Sequence, residues 1–161
     1  MRLFLFFLTM DSDSLTYKKL IQDIGNIIDP SIPTHTNLGN ISALIKSRFN
    51  WFWVGFYKVE KSELILNAFQ GPAACVRIPK GNGVCGKAWS ENKSIIVEDV
   101  DLFEGHISCN PASRSEIVIP FKNSNDEIVY VLDIDHDQKN AFNKIDEMNL
   151  KTINKLIVPI L

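Results

Sequence analysis

Apolar side chains recur at three- and four-residue intervals at Leu20, Ile21, Ile24, Ile27 and Ile28, which gathers them on one face of a helix. Residues 14–28 are therefore read as an amphipathic helix, with the polar run 11–14 supplying N-cap side chains. Asp29-Pro30 and Ile32-Pro33 end it, because a residue before proline is pushed out of the helical region. Leu38, Ile41, Leu44 and Ile45 predict a second helix over 37–46. The period then changes. W-F-W-V-G-F-Y-K-V, residues 51–59, is aromatic and β-branched and predicts a strand, with Trp51, Trp53, Gly55 and Tyr57 on one face and Phe52, Val54 and Phe56 on the other. Residues 63–69 return as its hairpin partner. A short strand over 75–78, a P-K-G-N-G loop, a short helix over 84–91 and a strand over 94–97 follow. Residues 99–113 keep neither period, and a loop of that length in a compact domain is more often functional than not. Strands over 116–121 and 128–135 and a helix over 144–157, carrying Ile145, Met148, Leu150, Ile153 and Leu156, complete the pattern.

That order predicts an α+β fold, a largely antiparallel central sheet flanked by helices, with a pocket between the sheet and its long loops. At 161 residues the chain is about one domain long. Its first ten residues, M-R-L-F-L-F-F-L-T-M, lack a small-residue cleavage site before the acidic residues that follow, so 1–10 are expected to be an N-terminal extension ahead of a domain spanning 11–161. No stretch reaches the about 18 to 20 apolar residues of a membrane-spanning helix. A net charge of -2 offers no footprint for nucleic acid, which leaves a small or peptide-sized partner. Three cysteines are an odd count that leaves at least one thiol unpaired, and a reducing, cytoplasmic setting suits them.

The cysteines are the main candidates for chemistry. Cys109 lies in the polar loop with Ser108, Asn110, Ser113 and His106 nearby. Cys85 falls near the start of the short helix, where backbone N–H groups would favour a thiolate. Cys75, between Ala74 and Val76, looks the most core-like. A zinc site of Cys75, Cys85, His106 and Cys109 is available on paper, but the cysteines are far apart in sequence and structural zinc ligands come in close pairs, so no metal is expected. His106 as base for a hydrolytic cysteine lacks supporting spacing. Asp133 and Asp135 lie two apart on one strand face, and Glu116 heads a strand of Ile117, Val118 and Ile119. Carboxylates there cost energy unless paired or used; the plainer alternative, a solvated strand end, suits Glu116 and Asp135 better than Asp133. Trp53 and Tyr57 share a face and could wall an apolar slot. Asp99, Arg77 and Lys80 read as surface charges.

The segments W-V-G-F-Y (53–57), F-Q-G-P-A-A-C-V-R-I-P (69–79), G-x-G-V-C-G (81–86), V-E-D-V (97–100), G-H-I-S-C-N-x-A-S-x-S-E-I-V-I-P (105–120) and V-L-D-I-D (131–135) resemble free methionine-(R)-sulfoxide reductase, an enzyme made of a single GAF domain. The resemblance implies reduction of free L-methionine-(R)-S-oxide to methionine, a role in oxidative stress. Cys109 would attack the sulfoxide sulfur and become a sulfenic acid. Cys75 would be the main resolving thiol and Cys85 an auxiliary one, with the resulting disulfide reopened by thioredoxin drawing on NADPH, and no bound cofactor. Glu116, Asp133 and Asp135 would bind the ammonium end and supply a proton, and Trp53, with Tyr57 close by, would wall the S-methyl group. The substrate carboxylate would rest on loop N–H groups. Pro111 after Asn110, Trp89, and an extra residue near Asn125 depart from the family pattern without touching these positions. A homodimer is left open by this reading. The rival is a non-catalytic GAF sensor of a small ligand such as a cyclic nucleotide, although such domains usually adjoin an output domain and need no thiols at these positions.

Overall fold

A computed structural model describes residues 12–161; the expected extension 1–10 lies outside them. Among the described residues, four α-helices and six strands run in the order α1 (Ser12–Ile27), α2 (Thr34–Phe49), β1 (Trp53–Glu60), β2 (Glu63–Gln70), β3 (Arg77–Pro79), α3 (Gly83–Glu91), β4 (Ile95–Val97), β5 (Ser115–Lys122), β6 (Ile128–His136) and α4 (Lys144–Ile157), with 3-10 turns at Val100–Leu102 and Val158–Ile160. The strands form one sheet in the order β3-β2-β1-β6-β5-β4, every pairing antiparallel. Helices α1, α2 and α4 pack on one face. On the other lies α3 with the long loops, so the molecule has three layers around the sheet.

The helix layer follows from the apolar stripes. Leu20 and Ile24 of α1, Leu38, Ile41 and Ile45 of α2, and Leu150, Ile153 and Ile157 of α4 are all buried against Val54, Phe56, Ile117, Ile119, Leu132 and Ile134. Helix α4 opens with a capping box: the Asn143 side chain accepts from the Ile145 N–H, and the Asn143 N–H donates to Asp146 Oδ2 at 2.8 Å, satisfying backbone donors that helix geometry leaves open. The Tyr17 hydroxyl donates to Asp146 Oδ1 at 2.7 Å, which ties α1 to the same cap.

Helix α2 is longer than its apolar stripe at both ends. It starts directly after Pro33 and stops at Asn50, whose left-handed backbone (φ 54°) lets its N–H bond the Lys46 carbonyl. That stop also corrects the strand. Lys46 Nζ donates to the carbonyls of Trp51 (2.7 Å) and Phe52 (3.1 Å), so these two residues form a connector and the pleat begins only at Trp53. Trp51 therefore does not share a face with Trp53. It packs in the helix layer between Phe49 and Phe142, whereas Phe52 turns to the opposite side.

Candidate active site

The site grows from the register of three strands. Opposite Trp53 on β1 stands Asp135 on β6, and opposite Asp135 stands Glu116 on β5; one step along, Gly55 faces Asp133, and Asp133 faces Val118. Residues paired across neighbouring strands point to one face of the sheet. The alternation read from the sequence thus places Trp53, Tyr57, Glu116, Asp133 and Asp135 together on the face away from the helices. They line one cavity with Ile78, Val84, Cys85, His106, Ile107, Cys109 and Ser113. Its space open to the centre of a water molecule is about 40 Å³.

Gly55 makes room for the aromatic wall. A Cβ there would lie 2.3 Å from Cη2 of Trp53 and 2.6 Å from Cβ of Phe69, so only glycine lets the indole lie across its own strand. The ring stacks between Phe69 and Tyr57, at 5.5 and 6.1 Å between centroids. Its Nε1 donates to the Pro72 carbonyl at 3.0 Å, and the Tyr57 hydroxyl donates to the Cys75 carbonyl at 3.0 Å. Both bonds fix the 71–76 segment against the sheet.

Cys75 and Cys109 are joined by a disulfide, their Cα atoms 5.2 Å apart. Cys75 is not the core-like cysteine: it sits half-buried in irregular chain before β3, beside the 63% exposed Val76. Cys85 is the buried one, at 3% exposure and with a free thiol. It lies in the first turn of α3, yet the expected thiolate preference does not hold, because burial and the facing Asp133 and Glu116 push the thiol up. Gly83, left-handed at φ +59°, delivers α3 to this spot against the Ile107 side chain. The cysteines and His106 considered for zinc are not assembled as a set, two of the sulfurs being bonded to each other.

Glu116 and Asp133 are buried at 5% and 7% exposure, so Glu116 is not a solvated strand end, and Asp135 too is largely enclosed. The Cys85 thiol donates to Glu116 Oε1 at 3.9 Å, His106 Nε2 lies 3.4 Å from Glu116 Oε2, and the Ser113 hydroxyl bonds Asp135 Oδ1. Asp133 Oδ1 is buried with no hydrogen-bond partner among the described residues. Burial first, then the charge of Asp135, raises Glu116 and Asp133 well above the ordinary carboxylate range. Burial raises Asp135 to about 6, opposed by Ser113 and His106. His106 is lowered by its own burial. The cavity therefore holds carboxylic acids beside a carboxyl that ionises near neutrality, the separation of values that lets one site both donate a proton and hold a cation.

Ser113, Phe52, Ile78 and Ile107 line the cavity although the sequence reading gave none of them a role in it, and His106, weighed there only as a zinc ligand or a hydrolytic base, lines it too. Of the four without a role, only Ser113 left a legible signal, a polar residue just ahead of the strand that carries Glu116. Asp99, read as a surface charge, caps the 3-10 turn and pairs with Lys139 at 2.6 Å. Among the described residues no helix is long and apolar enough to cross a membrane.

The class is set by this architecture: the GAF domain family matches residues 40–158. GAF domain-containing protein A of Dictyostelium discoideum is 48% identical over 143 residues, covering 88% of this chain and 89% of that protein. The free methionine-R-sulfoxide reductase of Escherichia coli is 42% identical, over 85% of this chain and 83% of its own. The crystal structure of free methionine-R-sulfoxide reductase from Neisseria meningitidis in complex with its substrate superposes with a TM-score of 0.85 at 39% identity, covering 93% of this chain and 90% of that one. The chain belongs to the GAF-domain family of free methionine-R-sulfoxide reductases.

Proposed function

We propose that the protein reduces free L-methionine-(R)-S-oxide to L-methionine and is recycled by thioredoxin. The observation that carries this is the Cys75–Cys109 disulfide, whose Cys109 lines a cavity also walled by the Trp53 indole and the carboxyls of Glu116, Asp133 and Asp135. In the reduced protein the Cys109 thiolate attacks the sulfoxide sulfur. The oxygen passes to Cys109 as a sulfenic acid while a buried carboxylic acid, Glu116 or Asp133, supplies the proton that the departing oxygen needs, and methionine leaves. The Cys75 thiol then condenses with the sulfenic acid, releasing water and forming the disulfide. A thioredoxin dithiol opens that bond and is itself oxidised, with NADPH as the ultimate electron source.

The carboxyls also account for the free amino acid as substrate. An α-ammonium group gives Asp133 Oδ1 the partner it lacks, and Asp135 offers the balancing negative charge. A peptide-bound sulfoxide has no such group. Trp53 and Tyr57 supply the apolar surface for the S-methyl end. Cys85 stands as an auxiliary thiol behind Cys75. Reversible thiol chemistry suits the reducing cytoplasm. A non-catalytic sensor would leave the disulfide without a purpose.

A thioredoxin-coupled NADPH assay on free and peptide-bound R and S sulfoxides tests this. Only the free R form should be consumed. Cys109→Ser should abolish consumption, and Cys75→Ser should release one methionine per protein without recycling. Full recycled activity in Cys109→Ser would overturn the assignment.

A further inference from the structure

The inner end of the cavity carries donors that the proposed reaction does not use as a set. Cys85 lies outside the disulfide and is buried. Its Sγ and one carboxylate oxygen each from Glu116 and Asp133 all lie within 4.8 Å of one another. A tetrahedral zinc ion with bonds of about 2.3 Å to sulfur and about 2.1 Å to oxygen sets those ligands about 3.6 Å apart. Cys85 Sγ and Glu116 Oε1 already stand 3.9 Å apart.

A second observation points the same way. Asp133, 93% buried, keeps Oδ1 without a hydrogen-bond partner among the described residues, an acceptor held out of water at a cost unless something cationic meets it. An ammonium ion meets that need for one oxygen. A divalent ion meets it for all three groups, because once they release their protons its double charge attracts each of the anions that would otherwise repel one another. Mixed sulfur and oxygen donors select zinc-like ions over magnesium or calcium, which want oxygen alone. Three protein ligands leave the fourth position of a tetrahedral ion to water or a ligand.

We propose that Cys85, Glu116 and Asp133 form an inhibitory site for a zinc-class divalent cation, whose occupation shuts the substrate ammonium out of the cavity. The binding half stands by itself; the inhibitory half rests on the function proposed above. On binding, the cation displaces the thiol and carboxyl protons to solvent, and no electrons move.

The disulfide form of the full chain tests it, since Cys85 is then the one thiol among the chain's three cysteines. Cadmium titration should raise a single thiolate-to-metal absorption band that saturates at one ion per chain and that zinc reverses. Glu116→Gln and Asp133→Asn should each weaken binding by at least the about tenfold that loss of a ligand's own supporting hydrogen bond costs, with far-UV circular dichroism confirming each fold. Adding free methionine sulfoxide to the wild-type protein should raise the apparent Kd for cadmium. No band, or a band that neither carboxamide variant weakens, overturns the site. Carboxylate-dependent binding that methionine sulfoxide leaves unchanged overturns the inhibition. The metal-free coupled assay reports separately on the reductase reading, so an inactive protein with an intact cadmium site would sink that reading alone.

Discussion

The two faces of the sheet are built from the same strands and obey opposite rules. On the helix side, successive partners across β1, β6 and β5 are Val54, Ile134 and Ile117, then Phe56, Leu132 and Ile119, all fully or almost fully buried. One residue along, the partners are Trp53, Asp135 and Glu116, then Gly55, Asp133 and Val118. Burial is similar on the two sides, and its return is not. Apolar area removed from water stabilises by roughly 25 cal/mol per Å², whereas a buried carboxyl without a full set of partners costs free energy. A one-residue step in the pleat thus separates the face that holds the fold from the face that spends stability on a reactive cavity.

Truncating the helix side should give the largest effect. Phe56→Ala removes a ring packed edge-on against Phe121 and Tyr130 and should destabilise by about 3–5 kcal/mol, read by denaturant unfolding, with kcat/KM of the remaining folded protein little changed. The reverse is expected for Asp133→Asn. Its kcat/KM for the free sulfoxide should fall about a hundredfold, equivalent to about 2.7 kcal/mol, while thermal stability stays close to wild type because the carboxamide replaces a carboxyl that burial already holds neutral. Wild-type kinetics in that variant would erase the distinction between the faces. Gly55→Ala should affect both properties, losing about 1–3 kcal/mol to the Trp53 and Phe69 clash and raising KM as the indole shifts.

The smallest effect concerns a carboxylate that belongs to neither face. Glu147 on α4 is partly buried, which alone would raise it, but Lys144, Lys151 and Ser94 bond it and bring it down to about 2. Its folded value is below its unfolded one, so its contribution is full above about pH 4.5 and fades as pH falls toward 2. Glu147→Gln should cost on the order of 1 kcal/mol at neutral pH, and the gap to wild type should close across that acid range in pH-dependent melts.

Periodicity made the elements and their order legible, and strand alternation paired Trp53 with Tyr57 and Asp133 with Asp135 on one face of each strand, while the register that brings the two pairs together came only from the structure. It failed where the period is interrupted by something non-periodic. The left-handed Asn50 and the Lys46 ammonium reset the pleat, and so moved Trp51 and Phe52 to the wrong sides in the reading. Nearest neighbours in sequence also misled for the thiols: Ala74 and Val76 made Cys75 look buried, yet Val76 points outward, while glycine-flanked Cys85 is carried inward by α3. The pairing of Cys75 with Cys109 is invisible to any local pattern, since it depends on two irregular segments meeting over the sheet, and only the family resemblance pointed to it.

The disulfide spans 34 residues of chain, and the loop it closes contains β3, α3, β4 and the first 3-10 turn. Cross-linking a loop of that length removes unfolded-state entropy worth roughly 4 kcal/mol in the chain-entropy account. In the proposed cycle, which forms and breaks this bond at every turnover, that stabilisation comes and goes each time. The spent enzyme is then the robust one, and the form ready for substrate is the more easily unfolded. A population starved of reductant would accumulate as the longer-lived species, and a melting temperature taken from cell extract would double as a gauge of how well the protein is being supplied with electrons.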